Sequence, residues 1–135
     1  MTASPAGPGM REEQAAFLAG PADDDEVFEM VNLPRGDTGV EGTIYVSSMQ
    51  GRHGPRVKWY PQRPGRDAPC LSVTLEDPPR AMNHGLSARE ARAGEEAVAR
   101  WVALNREALL RFWFEGTAWT VDEVYAFAKG LAKLP

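Results

Sequence analysis

The chain has 135 residues, 43% hydrophobic and 25% charged, with a net charge of −4. That length suits one domain, and that composition excludes a disordered or fibrous chain. The single cysteine, Cys70, excludes an intrachain disulfide and a cysteine-built metal site, and it reads as a small core residue at a strand start.

The charge is uneven. Residues 1–31 carry one arginine against seven acids, and residues 32–70 carry six bases against three acids. The middle third is therefore locally basic in an acidic chain. No stretch approaches 18 apolar residues, so no membrane partner is expected. The opening residues lack the basic and apolar regions of a secretory signal, which makes the cytoplasm the expected location.

Residues 1–26 read as a flexible acidic segment, with room for two helical turns over Arg11–Leu18. The run Asp23–Glu26 reads as a solvated loop rather than a cation site, because it lacks spaced ligands. Residues 27–135 read as a single α+β domain. Val27–Leu33 suits a short edge strand, and Pro34-Arg35-Gly36-Asp37 is turn chemistry.

Three strands follow. Thr43–Ser48 is rich in β-branched residues. Arg56–Tyr60 alternates, with Val57 and Trp59 on one face and Arg56, Lys58 and Tyr60 on the other. Leu71–Leu75 alternates too, placing Leu71, Val73 and Leu75 inward and Ser72 and Thr74 outward. One apolar and one polar face describe an antiparallel sheet covered on one side. The predicted sheet has three to four strands and packs on a long C-terminal helix, followed by a second short helix.

Both helices have start signals. Ser87-Ala88-Arg89-Glu90 and Thr120-Val121-Asp122-Glu123 are capping boxes, and Trp119 and Val124 sit at hydrophobic-staple spacing. Gly116 is the expected stop of the first helix. Its apolar stripe runs through Val98, Val102, Leu109 and Phe112, with Trp101, Ala108 and Trp113 beside it. Arg106 and Arg111 should face solvent, with Glu107 supporting Arg111 at i,i+4. The second helix offers Val121, Val124, Tyr125, Ala128 and Leu131.

Candidate chemistry is sparse. No nucleophile motif, phosphate-cradling loop or metal-ligand spacing is present, so no catalytic residue, metal or cofactor is assigned. The two histidines, His53 and His84, fall in predicted loops. The basic hairpin supplies the candidate binding residues Arg52, His53, Arg56 and Lys58, with Arg63 and Arg66 in the next loop. Such a patch neutralises phosphates or pairs with an acidic protein surface, or simply keeps a sheet face soluble. Tyr60 could add a stacking surface. Asn105 interrupts the apolar stripe of the long helix. A buried amide there must satisfy backbone groups nearby or hold a ligand.

The run Arg52-His53-Gly54-Pro55-Arg56-Val57-Lys58, with the helix Arg100-Trp101-Val102-Ala103-Leu104-Asn105-Arg106-Glu107-Ala108-Leu109-Leu110-Arg111-Phe112-Trp113, resembles a group of small bacterial domains of unknown function. Their helix carries a similar W-x-x-L-N-R-E-x-L-x-x-x-W run, and Asp37-Thr38-Gly39 also looks like that group. The resemblance covers about residues 29–115. It implies a short sheet followed by a helix, and a small regulator or accessory protein, since some relatives are encoded beside toxin–antitoxin-type genes. It implies no activity.

The expected function is a non-catalytic binding or regulatory domain for a protein partner, with a homodimer also open. The alternatives are a nucleic-acid-binding domain using the basic hairpin 50–66, or a small nuclease-like enzyme with His53 as base.

Overall fold

The computed structural model describes residues 30–49, 53–65 and 67–135. The acidic segment 1–26, the start of the predicted strand at 27–29, Arg52 and Arg66 lie outside the described residues. The chain divides into two units, Met1–Val27 with Gln50–His53 and Phe28–Met49 with Gly54–Pro135. Every described helix and strand belongs to the second.

The fold is α+β. Five strands, β1 (Met30–Pro34), β2 (Thr43–Ser47), β3 (Arg56–Tyr60), β4 (Cys70–Thr74) and β5 (Ala81–His84), form one antiparallel sheet in chain order. This corrects the expected count of three to four strands. A short helix α1 (Arg35–Thr38) follows β1, a long helix α2 (Ala88–Glu115) follows β5, and α3 (Val121–Gly130) comes last.

Alternation builds the core. Ile44 pairs with Trp59 and Val46 with Val57, while Trp59 and Val57 pair in turn with Leu71 and Val73. All six are buried, and α2 lays Val98, Trp101, Val102, Leu109 and Phe112 into the same core. Trp59 sets the seam between the layers. Its indole N–H donates to the Glu41 carbonyl at 2.6 Å, and its ring lies where a Cβ on Gly94 of α2 would have to go.

Helix α2 starts as its sequence predicts. The Ser87 hydroxyl accepts from the Glu90 amide at 3.1 Å and the Glu90 carboxylate reaches back, completing the capping box. The same box opens α3 at Thr120 and Glu123. Gly116 ends α2 differently from expectation. It stays right-handed and leads into a 3₁₀ turn, Gly116–Ala118. A glycine suits the position because a Cβ would stand 2.6 Å from the Phe112 ring. That ring stacks on Phe127 at 4.5 Å and meets Trp119 at 5.6 Å, which seats α3 on α2.

Two other expectations change. Val121 and Tyr125 are 84% and 64% exposed, whereas the expected Val124, Ala128 and Leu131 do pack on the core and Phe127 joins them. Arg106 is half-buried and donates from Nε to the Leu75 carbonyl at 2.7 Å, tying α2 to the end of β4.

The C-terminal segment closes the apolar side. The Asn105 amide nitrogen donates to the Trp101 and Ala132 carbonyls, each at 3.0 Å, and its oxygen accepts from the Ala132 amide at 2.8 Å. Two residues on, the Leu134 amide donates to the Thr38 carbonyl at 2.8 Å. Gly39 beside it has φ +81°, and a Cβ there would collide with the Leu134 backbone. Among the described residues no helix is long and apolar enough to cross a membrane.

Candidate functional site

The sheet has one face on α2 and one face turned away from it. Strand alternation assigns the outer face to Met30, Asn32 and Pro34 of β1, Thr43, Tyr45 and Ser47 of β2, and Arg56, Lys58 and Tyr60 of β3. Cys70, Ser72 and Thr74 of β4 and Met82 and His84 of β5 complete it. None of these residues is acidic, although the chain has 19 acids against 15 lysines and arginines. The face carries Arg56, Lys58 and His84 instead.

Register fixes the neighbours. Asn32, Tyr45, Lys58, Ser72 and Met82 form one row across the strands, so Lys58 lies directly between Tyr45 and Ser72. Side chains opposite each other in such a row have Cβ atoms about 5 Å apart. Ser72 is only 1% exposed, and its hydroxyl shares a hydrogen bond of 3.0 Å with His84 Nε2. Thr74 is buried too, and its hydroxyl accepts from the Arg80 amide at 2.9 Å. The centre of the polar face is thus more enclosed than alternation alone predicts.

The serine–histidine contact has the residue types of a nucleophile and its base. Its geometry suits a structural bond better. A serine this deeply buried offers no line of attack to a reacting carbon or phosphorus. Among the described residues no carboxylate is hydrogen-bonded to His84 to orient the ring. The bond satisfies a hydroxyl that burial would otherwise leave unpaired.

Tyr60 is buried beside Cys70 and Tyr45, its ring 5.1 Å from that of Tyr45 and tilted by 55°. It therefore offers no open ring for stacking. Burial first, then the neighbouring Cys70 thiol and Tyr45, push its phenol up to about 12. Neutral phenol is the folded form, whereas an unfolded tyrosine ionises near its ordinary value of 10.0. Tyr60 should thus cost no stability below pH 10 and favour unfolding as pH climbs from there towards 12. Phenolate absorbance should show one of the three tyrosines titrating last, and Tyr60→Phe should remove that step. Persistence of the late step in Tyr60→Phe would contradict the assignment.

The predicted binding residues do not converge. Arg56 is half-buried, with its guanidinium 6.0 Å from the Trp113 ring centre and donating from Nη1 to the Gly54 carbonyl at 3.3 Å. Partial burial pulls its pKa below the ordinary value. Lys58 shares the outer face with it. Arg63 is exposed in the loop between β3 and β4, and His53 belongs to the first unit. Asn105 lies on α2, on the other side of the sheet, with its amide engaged by the C-terminal segment.

Sequence reasoning placed Ser72 on this face but overlooked Tyr45, His84, Met30 and Met82. The alternation of β2 already carried Tyr45. His84 needed β5, whose sequence Ala-Met-Asn-His has no β-branched residue.

A second surface lies on the helical layer. Ala108, Arg111, Trp119, Ala126 and Phe127 line a groove of about 410 Å³ between α2 and α3. Arg111 sits over the Trp119 ring at 5.6 Å and pairs with Glu115 at 3.7 Å. Among the described residues no group of three or more histidine, cysteine or acidic side chains could hold a metal. Comparison of the chain with protein-family models, with curated proteins and with solved structures gives no match.

Proposed function

We propose that the chain is a non-catalytic binding domain for a protein partner, and that the outer face of the sheet is its working surface. The observation that carries this is the composition of that face. It joins Tyr45, Met30 and Met82 to Lys58 and bears no carboxylate. Interface cores are enriched in aromatic residues, methionine and arginine and depleted of acids. Met30 and Met82 stand on the two edge strands, 45% and 47% exposed, where flexible thioethers adapt to a partner. The positive charge selects an acidic surface.

Nucleic acid fits this face less well. Tyr60 is buried, Arg56 is committed to Trp113, and a phosphate backbone needs several free cations. Cys70 is a buried free thiol, which suits a reducing compartment such as the cytoplasm.

Selection from a display library of random dodecapeptides tests the proposal. Acid-bearing peptides should emerge, and their amide-shift footprints should fall on β2, β3 and β4. Peptides that instead footprint on the groove at Phe127, or an outer face that binds only oligonucleotides, would overturn it.

A further inference from the structure

We propose that Lys58 is the anchor of the outer face and that it takes a single carboxylate from an aspartate or glutamate side chain of the partner. This rests on the sheet-face reading above and adds the chemistry of its central contact.

The basic side chains of the described residues sort by what they touch. Arg35, Arg80, Arg111 and Lys129 are ion-paired with Glu41, Glu76, Glu115 and Asp37. Arg106 and Lys133 donate to backbone carbonyls, and Arg56 sits against a ring. Arg63, Arg89, Arg92 and Arg100 have no partner among the described residues, but all four are exposed and solvated by water. Lys58 alone among these described cations is half-buried with neither an ion pair nor a hydrogen bond.

A half-buried lysine packs its aliphatic stem along its neighbours and keeps its ammonium for water or a polar partner. Other sheets pair such a charge with an acid on the neighbouring strand. Here both cross-strand neighbours, Tyr45 and Ser72, are neutral, and so is Tyr60 two residues along. An incoming anion would supply the missing charge. Lysine brings three donors and no acceptor, and Tyr45, its partner on the neighbouring strand, carries a further hydroxyl donor. A carboxylate, which only accepts, matches that set. One free ammonium also matches one carboxylate, whereas a nucleic-acid strand presents a charge at every nucleotide.

Fluorescein-labelled hexaglutamate and hexaglutamine test this by anisotropy at low ionic strength, with a six-nucleotide oligo-dT as a third probe. Hexaglutamate should bind and hexaglutamine should not. Lys58→Gln should weaken hexaglutamate by about tenfold or more, while Arg100→Gln, on the helical layer, leaves it unchanged. Circular dichroism and the melting temperature show that both variants keep the fold.

Equal binding by wild type and Lys58→Gln would overturn the anchor. The sheet-face reading would survive if the dodecapeptides still footprint on β2, β3 and β4. Failure of hexaglutamate to bind wild type would overturn the anchor as well, and binding of oligo-dT in its place would remove the protein-partner reading with it.

Discussion

Trp59→Ala should lower stability by about 3–5 kcal/mol, the range for truncating a buried tryptophan. The ring is 4% exposed and lies between Ile44 and Leu71 on the core face of the sheet. Its removal also leaves the Glu41 carbonyl without the indole donor. For a folded unit of this size that loss is worth roughly 10 °C or more in melting temperature.

Gly94 makes the test sharper. Glycine inside a helix normally costs about 1 kcal/mol relative to alanine, so Gly94→Ala alone would be expected to stabilise α2. Here the added methyl would overlap the Trp59 ring. Overpacking of that kind costs about 1–3 kcal/mol, so the single variant should be neutral to destabilising. In the Trp59→Ala background the overlap is gone, and Gly94→Ala should turn stabilising. A denaturant series on the four chains reads the change of sign. The same effect of Gly94→Ala in both backgrounds would show that the two residues are not coupled.

Asn105→Ala should cost about 2–3 kcal/mol. Its side chain makes three hydrogen bonds, two of them to the backbone of Ala132. Alanine leaves those groups to find water while the surrounding apolar contacts persist. Hydrogen exchange at the Ala132 and Leu134 amides should accelerate well before that at the β3 amides. Asn105→Asp should be at least as damaging at neutral pH, because it swaps the donating nitrogen for a charged acceptor facing two carbonyl oxygens. A change within 0.5 kcal/mol for Asn105→Ala would contradict the clasp.

Much of the fold was legible where local chemistry decides it. Arg56–Tyr60 alternates cleanly and forms β3 over those same residues. Both capping boxes hold because the cap, the carboxylate and the amides they bond lie within one turn. What depends on distant residues was not legible. β5 exists because β4 offers it an edge and because Asn83 bonds both ways with Leu86 just after it, not because Ala-Met-Asn-His favours a strand. On α3 the pairs Val121–Tyr125 and Val124–Phe127 both have helical spacing, and only the stacking of Phe127 on Phe112 selects the second.

The candidate surface was half legible. Arg56 and Lys58 could be placed on one polar face from alternation alone. The lack of any carboxylate on that face required the register of all five strands. Asn105 was visible as a polar residue in an apolar stripe, and the backbone groups it satisfies belong to a segment 27 positions later. The residues Asp37-Thr38-Gly39 receive that same segment, through Lys129, the Leu134 amide and the space left by a missing Cβ.

The clasp also bears on the order in which the chain folds. Each strand pairs with its successor in sequence, so the sheet grows by closing short loops. The tail contacts span most of the folded unit, with Lys133 bonded to Gly36 across 97 positions. Closing so long a loop costs most entropy while the rest is unformed and least once the sheet and α2 stand in place. The tail should therefore settle after the rate-limiting step. Weakening it with Asn105→Ala would leave the refolding rate nearly untouched and express almost its whole effect as faster unfolding. Kinetic persistence of the folded state would then reside in the last few residues, and speed of formation in the meander they close over.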